Sequence, residues 1–527
     1  RTCKPVTMTT APWGSQLRQT DTAMVASIDS LATRAGVDIM KAGGNAVDAS
    51  IAVNAVLSVT AQHMCGLGGD LFALVHTDSG PPTCLNASGR AGSGADLDGI
   101  LADGLTSMPH RGDIRSVPVP GCVDGWWALH QRFGTMPLPD ILDRAIILAE
   151  DGFSASPLLA TAATGVRLVP GSQDFAELRA AGDVVTRPGV ASVLRAFGSG
   201  GRDAVYRGRF GDELLAVGDG EYSIADLDSL NADWVDPLGV DVWGHRVWTV
   251  PPNSQGYLSL AAARIAEGLD LPPEDDPLRA HLLVESARQA GFDRPDVLHE
   301  HADGSCLLDD DRLVPRREAI SPERAAALGD SWHEGDTMYM CAVDGKGMAV
   351  SLIQSNADGF GSHVTLPGLG IFLHNRGLGF NVNPDHPASY GPGRRPPHTL
   401  APALVAHPDG RLRAVLGTMG ADAQPQVVLQ MLVRLLVDGA DPGHVVGGGR
   451  WVLVGGSGFG TWDDVESVEV VVEEHVPAGW VRGLADRGHR ARVGRANFGH
   501  AHCIEVVDGG LRGAADPRSL VGEAAGF

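Results

Sequence analysis

Two apolar runs joined by a polar tetrad stand out along this chain. Thr337 to Val343 (TMYMCAV) is almost wholly apolar, Asp344-Gly345-Lys346-Gly347 interrupts it, and Met348 to Ser355 (MAVSLIQS) resumes it. An acid and glycines between two strand-like runs predict a β-hairpin. Counting back along an antiparallel ladder places Thr337 opposite residues 354–356, so a hydroxyl at a strand start faces Gln354, Ser355 and Asn356. Upstream, residues 29–60 predict helices broken at Gly43-Gly44-Asn45. The second, Ala46 to Thr60, is small and apolar on nearly every side and belongs in a core. Gly66-Leu67-Gly68-Gly69-Asp70 then leads into a strand, Leu71 to His76. A dinucleotide fingerprint needs strand, glycines, helix. The order here is helix, glycines, strand, which reads as closely packed backbone.

Pro81-Pro82 predicts a hairpin turn, with Thr83 to Arg90 as the returning strand. Residues 138–200 predict amphipathic helices, Val247 to Val250 a strand, and 257–269 and 278–292 further helices. Residues 302–335 are polar and without period, which predicts a flexible linker ending just before Thr337. Asn383 to Pro397, rich in Pro, Gly and Arg, predicts a loop long enough to cover a site. Strands at 400–406 and 412–417 precede Gly417-Thr418-Met419-Gly420-Ala421, and a helix from Pro425 to Leu436 follows. A glycine turn at a helix N-terminus aims backbone N–H groups at an anion.

Composition narrows the class. The chain has 527 residues, 43% of them hydrophobic and 20% charged, as in a soluble folded protein with a large core. A net charge of −23 argues against nucleic acid and anionic membrane partners. No apolar run reaches membrane-spanning length. The first nineteen residues, RTCKPVTMTTAPWGSQLRQ, lack a signal-peptide core, so a cytoplasmic location is expected. Met8 reads as a natural start, with residues 1–7 an extension. Seven scattered cysteines without C-x-x-C read as reduced thiols. Lys4, Lys41 and Lys346 are the only lysines, which leaves few candidates for a Schiff base. His500 and His502 alternate on a predicted strand, but no third ligand has metal-site spacing, so neither metal nor cofactor is expected.

Several segments carry a family resemblance. They are AGGNAVDAS at 42–50, MCGLGGDLFAL at 64–74, Gly335-Asp336-Thr337 with Tyr339 and Asp344, RRPPHTLAP at 394–402, GTMGADAQPQ at 417–426, and Ala515-Asp516-Pro517-Arg518. In this order, over nearly the whole chain, they resemble the γ-glutamyltranspeptidase family of N-terminal-nucleophile hydrolases, and within it the divergent bacterial amidohydrolases and acylases. The resemblance implies an α+β fold, a four-layer α-β-β-α sandwich with mainly antiparallel sheets. It also implies autocatalytic cleavage of the Asp336–Thr337 bond. The large fragment, 1–336, and the small one, 337–527, would make one globular unit and one heterodimer, with further dimerisation left open.

The cut has a chemical reason. An N-terminal threonine supplies its own hydroxyl nucleophile and, in its α-amine, a base that titrates near ~8; an internal threonine has no such amine. The resemblance assigns Ser355 as a second hydroxyl bonded to the nucleophile, and the amides of Gly420 and Ala421 as oxyanion donors. Alanine keeps the N–H of the family's glycine and, with a negative φ, the role.

The departures concern substrate. The family's carboxylate-binding arginine falls on Ser88, with Arg90 two residues on and expected on the same strand face. Its carboxylate and amide for an ammonium group fall on Gly379 and Arg376, its paired serines on His398 and Thr399, and its asparagine on Ala357, beside Asn356. The expected substrate-binding set is therefore Arg90, Asn356, Arg376, His398 and Thr399. A cationic Arg376 would repel an ammonium group, and it is expected to stand outside the cleavage machinery. Asp516 and Arg518 read as a structural ion pair. The leading expectation is a hydrolase or acyltransferase that cleaves an amide, or similar acyl bond, of a small carboxylate-bearing molecule. A glutathione hydrolase or γ-glutamyltransferase with a rewired pocket is the second, and an inactive binding protein of the same fold the third.

Overall fold

The computed structural model describes residues 17–77, 80–326, 337–455, 468–496 and 498–527. Among these residues the alternating strands form two seven-stranded sheets with every neighbouring pair antiparallel. In spatial order the first is Glu523–Gly526, Met24–Ser27, Met338–Val343, Ala349–Ser355, Asp70–His76, Thr83–Ala87 and Asp233–Val235. The second is Arg18–Thr20, Gly510–Ala515, Ala501–Val507, Leu412–Thr418, Ala403–Ala406, His245–Thr249 and Leu238–Val242. Both sheets draw strands from before and after Thr337.

Two-residue alternation decides what each face meets. Met338, Met340 and Ala342 pack toward helices, while Tyr339, Cys341 and Val343 pack toward the second sheet. Leu71, Ala73 and Val75 likewise face helices, and Phe72 and Leu74 face the second sheet, whose Leu404, Val415 and Ile504 complete the inter-sheet core. Helices such as Ser30–Lys41, Ala46–Thr60 and Cys122–Phe133 cover the first sheet; Tyr257–Glu267, Pro277–Gly291 and Gln424–Leu432 cover the second. The result is the expected α-β-β-α sandwich. Ala46–Thr60 is buried along its whole length, as its all-round apolar sequence requires. Among the described residues no helix is long and apolar enough to cross a membrane, and Cys65, Cys84, Cys122, Cys306, Cys341 and Cys503 are free thiols.

The hairpin has the counted register, from Met338 opposite Gln354 to Val343 opposite Ala349. Its turn is fixed by Asp344, whose carboxylate accepts the N–H groups of Lys346 (2.8 Å) and Met348 (3.1 Å). The other oxygen accepts from Ala46 N (3.0 Å) and docks the turn on a helix N-terminus.

Two expectations change. Residues 302–326 are not a linker: Cys306–Leu308 and Asp310–Glu318 are helical, and Leu307, Leu313 and Ile320 enter the second core. Three anchors so far apart leave no readable period. Residues 327–336, with Asp336 and the expected processing loop, lie outside the described residues. The strand begun at Thr83 ends at Ala87, because Gly89 (φ +74°) turns the chain against the Val119 carbonyl.

Candidate active site

The site is a row across three neighbouring strands. Met338 pairs with Gln354, which sets Thr337 across from Ser355, and Ser355 pairs in turn with Asp70. Thr337 has the parity of Tyr339, Ser355 that of Ile353, and Asp70 that of Phe72, so all three side chains point into the space between the sheets. All three are fully buried. Thr337 Oγ1 lies 3.0 Å from Ser355 Oγ. Ser355 Oγ accepts from Ala357 N (2.7 Å) and Arg376 Nη2 (3.3 Å). These two N–H groups hold Ser355 Oγ beside Thr337 Oγ1, and either hydroxyl of the pair can be the donor between them.

Arg376 lies over this row in a short 3-10 turn, Arg376–Gly379. Besides Ser355, it reaches Thr399 Oγ1 through Nη1 (2.9 Å) and Asp70 Oδ2 through Nε (3.4 Å). Asp70 Oδ2 also accepts from His398 Nε2 at 2.6 Å, and His374 Nδ1 stands 3.4 Å away. Leu400 donates its N–H to His398 Nδ1 (3.2 Å), which fixes the imidazole proton on Nε2. Burial pushes His398 down to about 4, aided by the Arg376 charge, so the ring is neutral. Burial alone would raise Asp70, but the His398 and Arg376 side chains outweigh it and hold the carboxyl well below its ordinary range.

The expected repulsion between Arg376 and an ammonium group thus loses its basis, since a buried carboxylate compensates the charge. Arg376 also touches the hydroxyl that touches Thr337, so it does not stand apart from Thr337 as expected. Gly379 has its own reason: a Cβ there would lie 2.3 Å from the Pro397 carbonyl, which leaves no room for an acid. The acid comes from Asp70 instead. Asp70 and His374 escape the sequence reading, although one signal is present: a buried strand that opens on an aspartate must find that aspartate a partner.

The remaining predicted residues divide. Thr399 and His398 belong to the cluster. Asn356 is buried beside Ser355; its side-chain N–H donates to the Gln62 carbonyl (2.9 Å), while its Oδ1 has no hydrogen-bond partner among the described residues. Arg90 lies beyond the end of its strand, so the same-face argument fails. Its side chain is 34% exposed and pairs with Asp233 (3.0 Å) and Glu300 (2.5 Å). Asp516 pairs with Arg518 (3.0 Å) and Arg450 (2.7 Å) in a buried ionic network. His502 stacks on Tyr339, and neither it nor His500 joins a third metal ligand among the described residues. His281, Glu285 and His489 do cluster; the two imidazoles hydrogen-bond each other (2.8 Å), and Glu285 accepts from Arg288 (2.6 Å).

Gly420 and Ala421 follow strand Leu412–Thr418 of the opposite sheet. Gly417 of that strand sits over Tyr339, where a Cβ would meet the ring at 2.5 Å, so the turn overhangs the Thr337 end of the hairpin. The Ala421 carbonyl accepts from Gln255 Nε2 (3.1 Å), which also serves the Thr399 carbonyl (3.2 Å) and ties the turn to the Arg376 cluster. Ala421 has φ +46°, not the negative value expected, so it carries left-handed strain that a glycine would not. Ala421→Gly should therefore raise unfolding stability by about 1 kcal/mol, read from a urea midpoint, with the amide still in place.

Comparison with known proteins agrees with this architecture. Residues 32–526 match the model of the gamma-glutamyltranspeptidase family. The chain is 34% identical to an oxamate amidohydrolase proenzyme of Klebsiella pneumoniae, over 94% of this chain and 97% of that protein. It is 33% identical to a glutathione hydrolase-like proenzyme, YwrD, of Bacillus subtilis, with the same coverages of 94% and 97%. The crystal structure of a cephalosporin acylase from Bacillus halodurans superposes with a TM-score of 0.89 at 31% identity, covering 100% of this chain and 99% of that one. With its sandwich, its hairpin and its glycine turn matched along nearly the full length, this chain belongs to the γ-glutamyltranspeptidase family of N-terminal-nucleophile hydrolases.

Proposed function

We propose that this enzyme cuts itself between Asp336 and Thr337 and then hydrolyses an amide of a small carboxylate-bearing molecule through an acyl-enzyme on Thr337. The supporting observation is the row Thr337, Ser355, Asp70 with the Arg376 guanidinium bridging its last two members. In the cut form the Thr337 α-amine accepts the hydroxyl proton as Oγ1 adds to the amide carbonyl. The amides of Gly420 and Ala421 receive the oxyanion. The α-amine returns the proton to the leaving nitrogen as the C–N bond breaks. Water then adds to the ester by the same route and releases the acid. Arg376 would meet the substrate carboxylate, with Thr399 beside it. Residues 1–336 and 337–527 would remain together as one heterodimer, with no cofactor.

Asp70 favours a second reading. It restores beside Arg376 the negative charge that Gly379 cannot supply, so a γ-glutamyl ammonium group is not turned away on charge grounds. The relatives named above are an oxamate amidohydrolase, a glutathione hydrolase-like protein and a cephalosporin acylase. Values of kcat/KM for oxamate, malonamate and succinamate, measured against that for glutathione on processed protein, separate the two. The short amides should lead by at least about tenfold, the equivalent of roughly 1.4 kcal/mol. A clear lead for glutathione would make this a γ-glutamyl enzyme.

A further inference from the structure

We propose that Asp70 and His398 are positioning residues for substrate recognition, holding Arg376 in the orientation from which it meets the carboxylate of the acyl group. The inference rests on the carboxylate-amide reading above. Arginine has a long, flexible stem, and a guanidinium recognises a carboxylate well only when its plane is fixed. Here three contacts fix that plane from three sides: Asp70 on Nε, Thr399 on Nη1 and Ser355 on Nη2. Asp70 is the charged member of the three and is itself held at Oδ2 by His398, whose proton can sit only on the nitrogen that faces Asp70. His398 is anchored by its own backbone, which donates to the Asn253 carbonyl (2.8 Å) and accepts from Gln255 N (2.8 Å). A relay of fixed contacts thus runs from the 253–255 segment through His398 and Asp70 to Arg376, the supporting shell that a precise binding group needs. Neither Asp70 nor His398 is within hydrogen-bonding contact of Thr337, so neither is assigned a part in the bond-breaking steps.

The test compares an anionic amide, oxamate, with a neutral one of similar size, pyruvamide, on processed enzyme. Asp70→Asn should lower kcat/KM for oxamate by about 100-fold, mainly through KM, and that for pyruvamide by no more than about tenfold, the smaller loss that a disturbed Arg376–Ser355 contact brings to either amide. His398→Leu should lower the oxamate value by about tenfold, and His398→Gln, which still offers an N–H to Asp70, should bring it back to within about threefold of wild type. Equal losses on both amides in Asp70→Asn would mean a merely structural role and overturn the inference. Should Asp70→Asn not be obtained folded, the His398 pair decides: equal losses in His398→Leu, or no recovery in His398→Gln, overturn it. A wild-type preference for oxamate that survives Asp70→Asn and His398→Leu overturns the inference alone. A wild-type enzyme with no preference between the two amides overturns the carboxylate reading, and the inference falls with it.

Discussion

Thr337→Ala should be recovered as one uncut chain without amidase activity. Wild-type protein should instead run as two fragments, and sequencing of the smaller should begin Thr-Met-Tyr-Met. The substitution removes a hydroxyl and a methyl and leaves the strand alone, because the ladder from Met338 onward is made by backbone. Folding should therefore be preserved, and the loss assigned to chemistry. In the proposed mechanism both the cut and the turnover depend on Oγ1, so activity should fall by about 10⁴-fold or more, as removal of a catalytic nucleophile does elsewhere. Thr337→Ser keeps a hydroxyl and should still process. Gel analysis with an amide assay on the same samples decides the matter: fully active wild-type protein that stays intact would rule out an N-terminal threonine mechanism.

Arg376→Gln should damage both turnover and processing. The residue is buried and bridges Ser355 and Asp70. Glutamine would leave Asp70 without its guanidinium, and breaking a buried ion pair from one side costs about 3–5 kcal/mol. The carboxyl of Asp70, now held low by that charge, should move up toward its ordinary range or beyond. For a carboxylate-bearing amide kcat/KM should drop by hundreds-fold, about 3–4 kcal/mol in transition-state binding. Ser355 loses an N–H donor as well, so the fragments should appear more slowly on a time course. A variant that processes at the wild-type rate and keeps its preference for oxamate over pyruvamide would remove Arg376 from both roles.

The parts of this site that can be read from sequence are those fixed by local rules. A tight turn sets a register, and the register alone sets Thr337 against Ser355; Asp344 supplies the physical hold on that turn. Parity along the strand then determines which face each residue joins. Arg376 with Asp70 is not readable in this way, because the two are 306 positions apart in sequence and meet only where two elements converge. The arginine's charge, taken without its partner, implies a repulsion that the fold neutralises. Arg90 fails for a smaller reason: a strand taken as reaching residue 90 ends at Ala87, and a face argument does not survive a turn. Gly379 looks like a lost acid and is instead a position where the Pro397 carbonyl admits no side chain. Ala421 looks like a harmless replacement for glycine, yet its backbone has kept the conformation a glycine would favour.

The interleaving of strands has a consequence for what cleavage does to the energy landscape. Met338–Val343 lies between Met24–Ser27 and Ala349–Ser355, and Leu412–Thr418 shares its sheet with His245–Thr249. A break in the chain before Thr337 would leave two polypeptides woven through both sheets, neither able to form a closed sandwich alone. While the chain is whole, refolding is unimolecular and the second half is always at hand. Once it is cut, the unfolded state gains the translational freedom of a second molecule, and recovery becomes a concentration-dependent encounter. The native state would then persist because escape is slow, a kinetic rather than an equilibrium stability. Self-cleavage would be a one-way gate: the covalent chain would serve to assemble the fold, and the enzyme would give it up for a free amine.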